Sequence, residues 1–418
     1  MNITWHMPTL RGDSCGLSIR ALALAGQLSR RGHRVDFVVD EAKTDMTGDA
    51  IGTLPLRRLR VHSARVPHWS LQASAKRRNA DAIVRKIGRD HDVLISCQPE
   101  VVSAYADVFG RRPLIFVCGG TTLLHDAADR AGQPSTGPSA RLAFAFDRYL
   151  KHCNETNAFT AADLTVFDSA STRSLAVTRY RLDPGRCFVV YGGVDFDAFQ
   201  QPDDQDRRQA RQTLGIADAD LVVTWTGRMS PEKHVDLLVR AVAACRRRPS
   251  AVLLIGDGPL REALARRVRR TGLQDIVRFL GRQPDVHSFL HAADIYAFPS
   301  RCESFGGSLV EAMACSLACV AQRADGRTVR NASAEIIEHE RSGVLVDRPD
   351  PIEWAAALDR LAADRPLRRR LGSAARQRVE QRFTWTAGGR RLAELIDGLT
   401  SGTRSRPRPL LERKLHVV

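Results

Sequence analysis

Phe298-Pro299-Ser300-Arg301-Cys302-Glu303-Ser304-Phe305-Gly306-Gly307-Ser308-Leu309-Val310-Glu311-Ala312-Met313-Ala314 decides how this chain is read. The apolar run Ile295–Phe298 before it has the character of a buried strand, ended by Pro299. Gly306 and Gly307 mark a tight loop, and Leu309, Val310, Ala312 and Met313 then follow helical spacing. Glycines at a strand-to-helix turn let a ligand approach the backbone, and the helix start points unpaired N–H groups towards it, a geometry suited to phosphate. Glu303 and Glu311 bracket the loop; Glu311, one turn into the helix, can accept hydrogen bonds from a pair of sugar hydroxyls. Ser308-x-x-Glu311 also reads as a capping box on an ordinary helix. Both readings stand on this stretch alone.

Working outward, 418 residues exceed one typical core and predict two domains. An apolar fraction of 43% with 26% charged residues is ordinary for a globular protein. No apolar run approaches the roughly 18 residues of a membrane span, and no N-terminal signal is expected where Met1-Asn2 runs straight into the strand pattern at Ile3-Thr4-Trp5. Nine cysteines at irregular spacing, with no Cys-x-x-Cys, predict reduced thiols in a cytoplasmic protein and no zinc site. The net charge of +16 is carried largely by arginines on helical segments. It fits a solvated basic surface, an anionic membrane surface or anionic substrates. Nucleic acid is not expected as a partner, because aromatic residues are only 6% and no recognition motif interleaves them with the basic ones.

The order of elements predicts an α/β protein. A strand, a loop with Gly12 and Gly16, an apolar helix ending at Arg30-Arg31-Gly32, and the strand Val35–Val39 form one unit within forty residues. Further strands are predicted at 93–96, 114–117, 164–167 and 188–191. A polar segment from Gln200 to Arg208 reads as the interdomain linker, and 126–139 as a loop. The pattern then restarts with strands at 221–225, 251–255, 277–280, 295–298, 319–321 and 343–346. Two successive doubly wound halves result, with strand ends able to face a shared cleft. Asp257 is expected to cap the helix after Gly258.

The second half resembles the nucleotide-sugar-binding domain of the GT-B glycosyltransferases, in particular the retaining family 4 (group 1) enzymes. The resemblance rests on motifs in series: Gly192-Gly193-Val194-Asp195, Gly227-Arg228-Met229-Ser230-Pro231-Glu232-Lys233, Ile255-Gly256-Asp257-Gly258-Pro259, Val277–Gly281, Glu303 through Glu311, and Gly343–Val346. It covers about 187–399 strongly, and the first half only through Gly16, Arg31-Gly32-His33 and Ala161-Ala162-Asp163. It implies two Rossmann-like domains: 1–199 on the acceptor side, rejoined by a helix at 383–399, and 200–382 for the nucleotide sugar, with a basic tail at 400–418. Arg228 and Lys233 would then contact the diphosphate, aided by the N–H groups of Phe305, Gly306, Gly307, Ser308 and Leu309. Glu311 would hold the ribose, Glu303 would face the donor sugar, and Gly16 would let the first loop close over the phosphates. A solvated loop pair is the plainer reading of Arg228 and Lys233.

The implied reaction is metal-independent glycosyl transfer with retention, needing no cofactor beyond the nucleotide-sugar substrate. The acceptor would be a glycan, a lipid-linked molecule or a small molecule, and the setting bacterial glycan assembly. Glu303 and Glu311 are not the acid–nucleophile pair of a glycosidase. The rivals are nucleotide-sugar epimerisation in the same fold and a non-catalytic anion binder. Three departures from the family pattern stand out: Cys118-Gly119-Gly120 replaces the usual histidine, with His125 nearby as a possible acceptor-side substitute or a plain loop residue; Gly192 replaces an asparagine; and Ser316-Leu317-Ala318 replaces Gly-x-Pro. Arg57-Arg58-Leu59-Arg60 and Lys76-Arg77-Arg78, around Trp69 and Leu71, form a basic–apolar patch suited to peripheral contact with the inner face of the cell membrane, or simply a solvated face.

Overall fold

The computed structural model describes residues 1–8, 16–40, 50–51, 54–59, 79–110, 112–119 and 138–402. In the first half the strands are β1 (Asn2–Met7), β2 (Arg34–Asp40), β3 (Ala50–Ile51) and β4 (Leu54–Leu59), followed by β5 (Val93–Ser96), β6 (Leu114–Cys118), β7 (Leu164–Phe167) and β8 (Cys187–Val189). They pair in the order β3-β4-β2-β1-β5-β6-β7-β8. Every described pairing is parallel except β3 with β4. The second half carries β9 (Val222–Thr226), β10 (Ala251–Ile255), β11 (Val277–Gly281), β12 (Ile295–Phe298), β13 (Ala318–Gln322) and β14 (Val344–Val346), in the order β11-β10-β9-β12-β13-β14 and wholly parallel. The fold is α/β with two doubly wound sheets, as the strand–helix alternation requires.

Parallel strands covered on both faces should be apolar throughout, and β5, β7, β9, β10, β12 and β13 are buried at every position. Leu237, Leu238, Trp354 and Leu358 line one face of the second sheet; Leu309, Val310, Met313 and Phe383 line the other. The first sheet is likewise covered on both faces. Leu392, Leu395, Ile396 and Leu399 of the Trp385–Thr400 helix lie in the first half's core, against Leu24 and Leu28. The chain crosses between halves twice, side by side: Val194 N–H donates to Phe383 O at 3.0 Å, and Val194 bridges Thr384.

Three expectations need correction. The segment expected as a linker is half helical: Asp204–Thr213 is a helix closed by a reciprocal Asp203/Asp206 capping box and anchored by the fully buried Arg211. The guanidinium of Arg211 bonds Asp294 at 2.9 Å and the carbonyls of Ala217, Asp218 and Asp220. The strands β3 and β4 are not among those expected, and two basic residues of the surface patch lie in β4, where Arg57 Nη2 donates to Ile87 O at 2.9 Å. Arg60, Trp69, Leu71 and Lys76-Arg77-Arg78 lie outside the described residues. Finally, the helix at Pro138–Ala161 begins inside the stretch expected as loop. Among the described residues no helix is long and apolar enough to cross a membrane. None of the eight described cysteines is joined to another in a disulfide.

Candidate functional site

In an open parallel sheet, ligands bind beyond the carboxyl ends of the strands, where the strand order reverses. In the second sheet that point lies between β9 and β12, because β10 flanks β9 on one side and β12 on the other. The loop after β9 runs Gly227–Lys233, and the loop after β12 runs Pro299–Gly306. The fold thus delivers Arg228, Lys233 and Glu303 to one place, although Lys233 and Glu303 stand 70 positions apart in the chain.

Backbone contacts hold the β9 loop. Gly227 N–H donates to Ile255 O (3.0 Å), Met229 N–H to Asp257 O (2.9 Å), and Leu260 N–H to Met229 O (2.9 Å). Gly256 has φ +129°, and a Cβ there would fall 1.8 Å from Gly227 O; at Gly258 it would fall 2.5 Å from Met229 O. Only glycine permits that approach. Asp257 does not cap the following helix, which begins at Arg261 with Leu260 as its N-cap; its carboxylate instead accepts from Gly258 N–H at 2.7 Å. A short 3-10 turn, Pro231–Lys233, ends at His234 in the left-handed region and aims Lys233 across to the β12 loop. Burial lowers the His234 imidazole to about 4, helped by Arg301, so it stays neutral.

Lys233 Nζ donates to Glu303 Oε1, and Ser300 Oγ donates to the same oxygen at 3.4 Å. Arg228 is exposed and forms no ion pair among the described residues. The Gly307–Ala314 helix starts from Gly306, at φ +119°, without a side-chain cap. Its first two amides, Gly307 and Ser308, have no acceptor among the described residues, whereas Leu309 and Val310 donate to Gly306 O. The capping-box reading therefore fails: Ser308 is in the first helical turn, and its hydroxyl bonds Tyr296. Tyr296 OH is also 3.0 Å from Thr226 Oγ1, so the end of β9, β12 and the helix share one polar floor. Desolvation pushes the Glu311 carboxyl up to about 7, against an opposing effect of His287. Arg228, the Lys233–Glu303 pair and the two open amides thus all lie on the loops and helix start that follow β9 and β12 at a strand-order reversal, an arrangement suited to a polyanion.

Known proteins resemble this chain in sequence and in fold. The model of "Glycosyl transferases group 1" matches residues 206–378, and that of "Glycosyltransferase Family 4" matches 15–198. The chain belongs to the group 1/family 4 glycosyltransferases of GT-B fold. The D-inositol 3-phosphate glycosyltransferase of Corynebacterium kroppenstedtii is 35% identical over 247 residues, covering 56% of this chain and 53% of that protein. The chain thus spans about half the length of the curated relatives it matches. Among solved structures, Anabaena HepE in complex with UDP superposes with a TM-score of 0.72 at 21% identity, covering 95% of this chain and 100% of that one. Sucrose-phosphate synthase from Thermosynechococcus elongatus gives 0.77 at 19%, covering 96% and 99%. Both support the fold.

Within this GT-B chain, the structure brings Lys233 and Glu303 into contact and sets Phe305, Gly306, Gly307, Ser308, Leu309 and Glu311 along one loop and helix start. Phe305 explains one departure from the family. Its ring covers Gly192, where a Cβ would fall 2.4 Å from Cδ1, so the usual asparagine has no room. Ser316, where the family carries glycine, adopts φ +61° and donates to Gln201 Oε1 at 2.9 Å. Gly16 opens the Gly16–Ser29 helix, and a Cβ there would meet no atom of the described residues within 4 Å. His125 lies outside the described residues. Sequence reasoning missed Arg20, Asp168 and Glu335. Arg20 and Asp168 are buried at the strand ends of the first sheet, and Glu335 reaches that sheet from the second half. Recognisable motifs lie close to each, but nothing in the sequence couples these three.

Proposed function

We propose that this GT-B chain transfers a sugar, with retention at the anomeric carbon, from a nucleoside diphosphate sugar to an acceptor hydroxyl, without a metal. The observation that carries the reading is the Lys233–Glu303 contact beside the exposed Arg228 and the open amides of Gly307 and Ser308. As the glycosidic bond breaks, negative charge builds on the departing diphosphate. Fixed cations and helix-start dipoles stabilise it without reorganising. Glu303 holds Lys233 extended in the free protein and stands where the donor sugar would lie. Glu311, near neutrality when free, would ionise as it accepts hydroxyl bonds from the ribose.

The relatives support the same class. The curated ones are named for transfer to D-inositol 3-phosphate, and HepE has been solved with UDP and with UDP-glucose. A glycan, a lipid-linked acceptor or a small molecule each fits the reading, and a lipid-linked one would bring the chain to the inner face of the membrane. The test is a thermal-shift panel of nucleotide sugars beginning with UDP-glucose. Hits are then assayed for nucleoside diphosphate release with chelator present, and the product anomer is read by NMR. We expect a stabilising donor, chelator-resistant turnover and a retained anomer. Strict Mg²⁺ dependence or an inverted product would overturn the finer claims, and no turnover with any donor would overturn the whole.

A further inference from the structure

The two halves meet through a small polar assembly that uses none of the phosphate-facing groups. Its first-half part is the end of β7 and the start of the Ala170–Tyr180 helix. A helix leaves the N–H groups of its first turn without an i−4 carbonyl, and here those of Ala170, Ser171 and Thr172 all have acceptors. Thr172 N–H goes to Ser169 Oγ (3.1 Å) and Arg173 N–H to Ser169 O (3.1 Å). The other two are satisfied from the opposite half: Ala170 N–H donates to Glu335 Oε2 (2.7 Å) and Ser171 N–H to Glu335 Oε1 (2.6 Å), with the Ser171 hydroxyl on the same oxygen. A carboxylate at a helix start also meets the favourable end of the helix dipole. Glu335 is itself tied to its own half, since Arg378 donates to Glu335 O (2.9 Å) and Ile336 O (2.6 Å).

The second contact lands on the residue after Glu303. Ser304 donates its hydroxyl to the buried Asp168, and Ser304 O accepts from Thr172 Oγ1 at 3.2 Å. Thr172 is oriented in turn by Ser169 Oγ at 2.9 Å. Arg20 faces Asp168 from the Gly16–Ser29 helix and is fixed by donation to Val190 O at 2.9 Å. Ser304 is thus held at both its hydroxyl and its carbonyl by the first half, while its neighbour Glu303 holds Lys233.

We propose that Asp168 and Thr172 are positioning residues for the Glu303–Lys233 pair, engaged when Glu335 docks on the Ala170–Tyr180 helix and brings the halves together. This rests on the glycosyl-transfer reading above for its effect on turnover, though not for its structural content. The first half then acts on the reaction through Ser304. Affinity for the nucleotide alone resides in the second half, and correct placement of Glu303 requires both.

The experiment compares the full chain with Ser304→Ala, Ser304→Thr, Asp168→Asn and Glu335→Ala. Steady-state kinetics use the donor and acceptor found in the panel, UDP affinity is measured by calorimetry, and the radius of gyration by solution scattering with and without UDP. Ser304→Ala, Asp168→Asn and Glu335→Ala are expected to lower kcat about tenfold or more, with the Kd for UDP unchanged within about twofold. Ser304→Thr, which keeps both bonding groups, should recover most of the rate, and Glu335→Ala should expand the protein in scattering. Unchanged kcat in Ser304→Ala, or UDP affinity falling in step with kcat, would overturn the proposal. If the unaltered chain turns over no donor, the glycosyl-transfer reading fails by itself. Scattering then decides the docking: expansion on Glu335→Ala upholds it, and an unchanged radius overturns it.

Discussion

The second half sets its charged side chains on a close-packed backbone, whereas the first half puts buried side chains at its strand ends. At the ends of β9 and β10 the architecture is a lattice of amides and carbonyls made possible by Gly227, Gly256 and Gly258. At the reversal point of the first sheet, between β1 and β5, His6 Nδ1 lies 3.0 Å from Ser96 Oγ, and burial depresses the imidazole to about 3. Nearby, Arg20 and Asp168 carry the charge at the strand ends. A backbone-built site suits a ligand part that does not vary, such as a diphosphate. A side-chain-built site can be recast without disturbing the fold.

Four measurements test that contrast. The largest effect is expected for Lys233→Ala, where loss of one preorganised cation should lower turnover by roughly 10²- to 10³-fold with the melting transition preserved. Near-normal turnover would remove Lys233 from the site. Next comes Gly256→Ala, which forces a Cβ onto Gly227 O at a positive φ; it should destabilise the protein by about 3 kcal/mol in denaturant unfolding. A smaller loss would mean that the loop lattice is softer than its geometry implies.

The third concerns pH. The Glu311 carboxyl rises from an ordinary 4.5 to about 7 in the folded protein, so the native state binds a proton that the unfolded chain has released. Stability from this group is therefore greatest at low pH and falls as pH climbs between those values. Hydroxyls bound to Glu311 favour the carboxylate, so UDP affinity should rise about tenfold from pH 6 to pH 8 and release a proton. Calorimetry in buffers of different ionisation enthalpy reads this directly, and Glu311→Gln should flatten it. A flat profile in the unaltered protein would sink the ribose role. The smallest effect is expected for Gly16→Ala, within about 0.5 kcal/mol, because a Cβ there meets none of the described residues; a large loss would show that the first half also depends on glycine packing.

The same contrast explains what was legible in the sequence. Glycine motifs at strand ends encode the second half's loops locally, so the order of residues alone suffices to place Arg228, Lys233, Glu303 and the helix start. Asp168 and Glu335 look ordinary in sequence because their partners lie in the opposite half. The helix at Asp204–Thr213 is hidden by its charge: only Ala210 and Arg211 are buried, and the Arg211 guanidinium replaces an apolar anchor with carbonyls and Asp294. In β4 the pair Arg57-Arg58 masks a strand in which Leu54, Leu56 and Leu59 are buried while Arg57 faces outward and donates to Ile87 O. Gly192 is only an oddity in sequence; the Phe305 ring packed over it supplies the reason.

The return of the Trp385–Thr400 helix to the first half carries a consequence for synthesis. Leu392, Leu395, Ile396 and Leu399 complete a core whose strands end at Val189. At roughly 5–20 residues per second, the ribosome needs on the order of 10–40 s to supply them after β8 emerges. Throughout that interval the apolar face of the Gly16–Ser29 helix that they cover stands open, while the second half can close its own two-faced sheet first. A released chain truncated before Trp385 should therefore hold a protease-sensitive first half beside a folded second one.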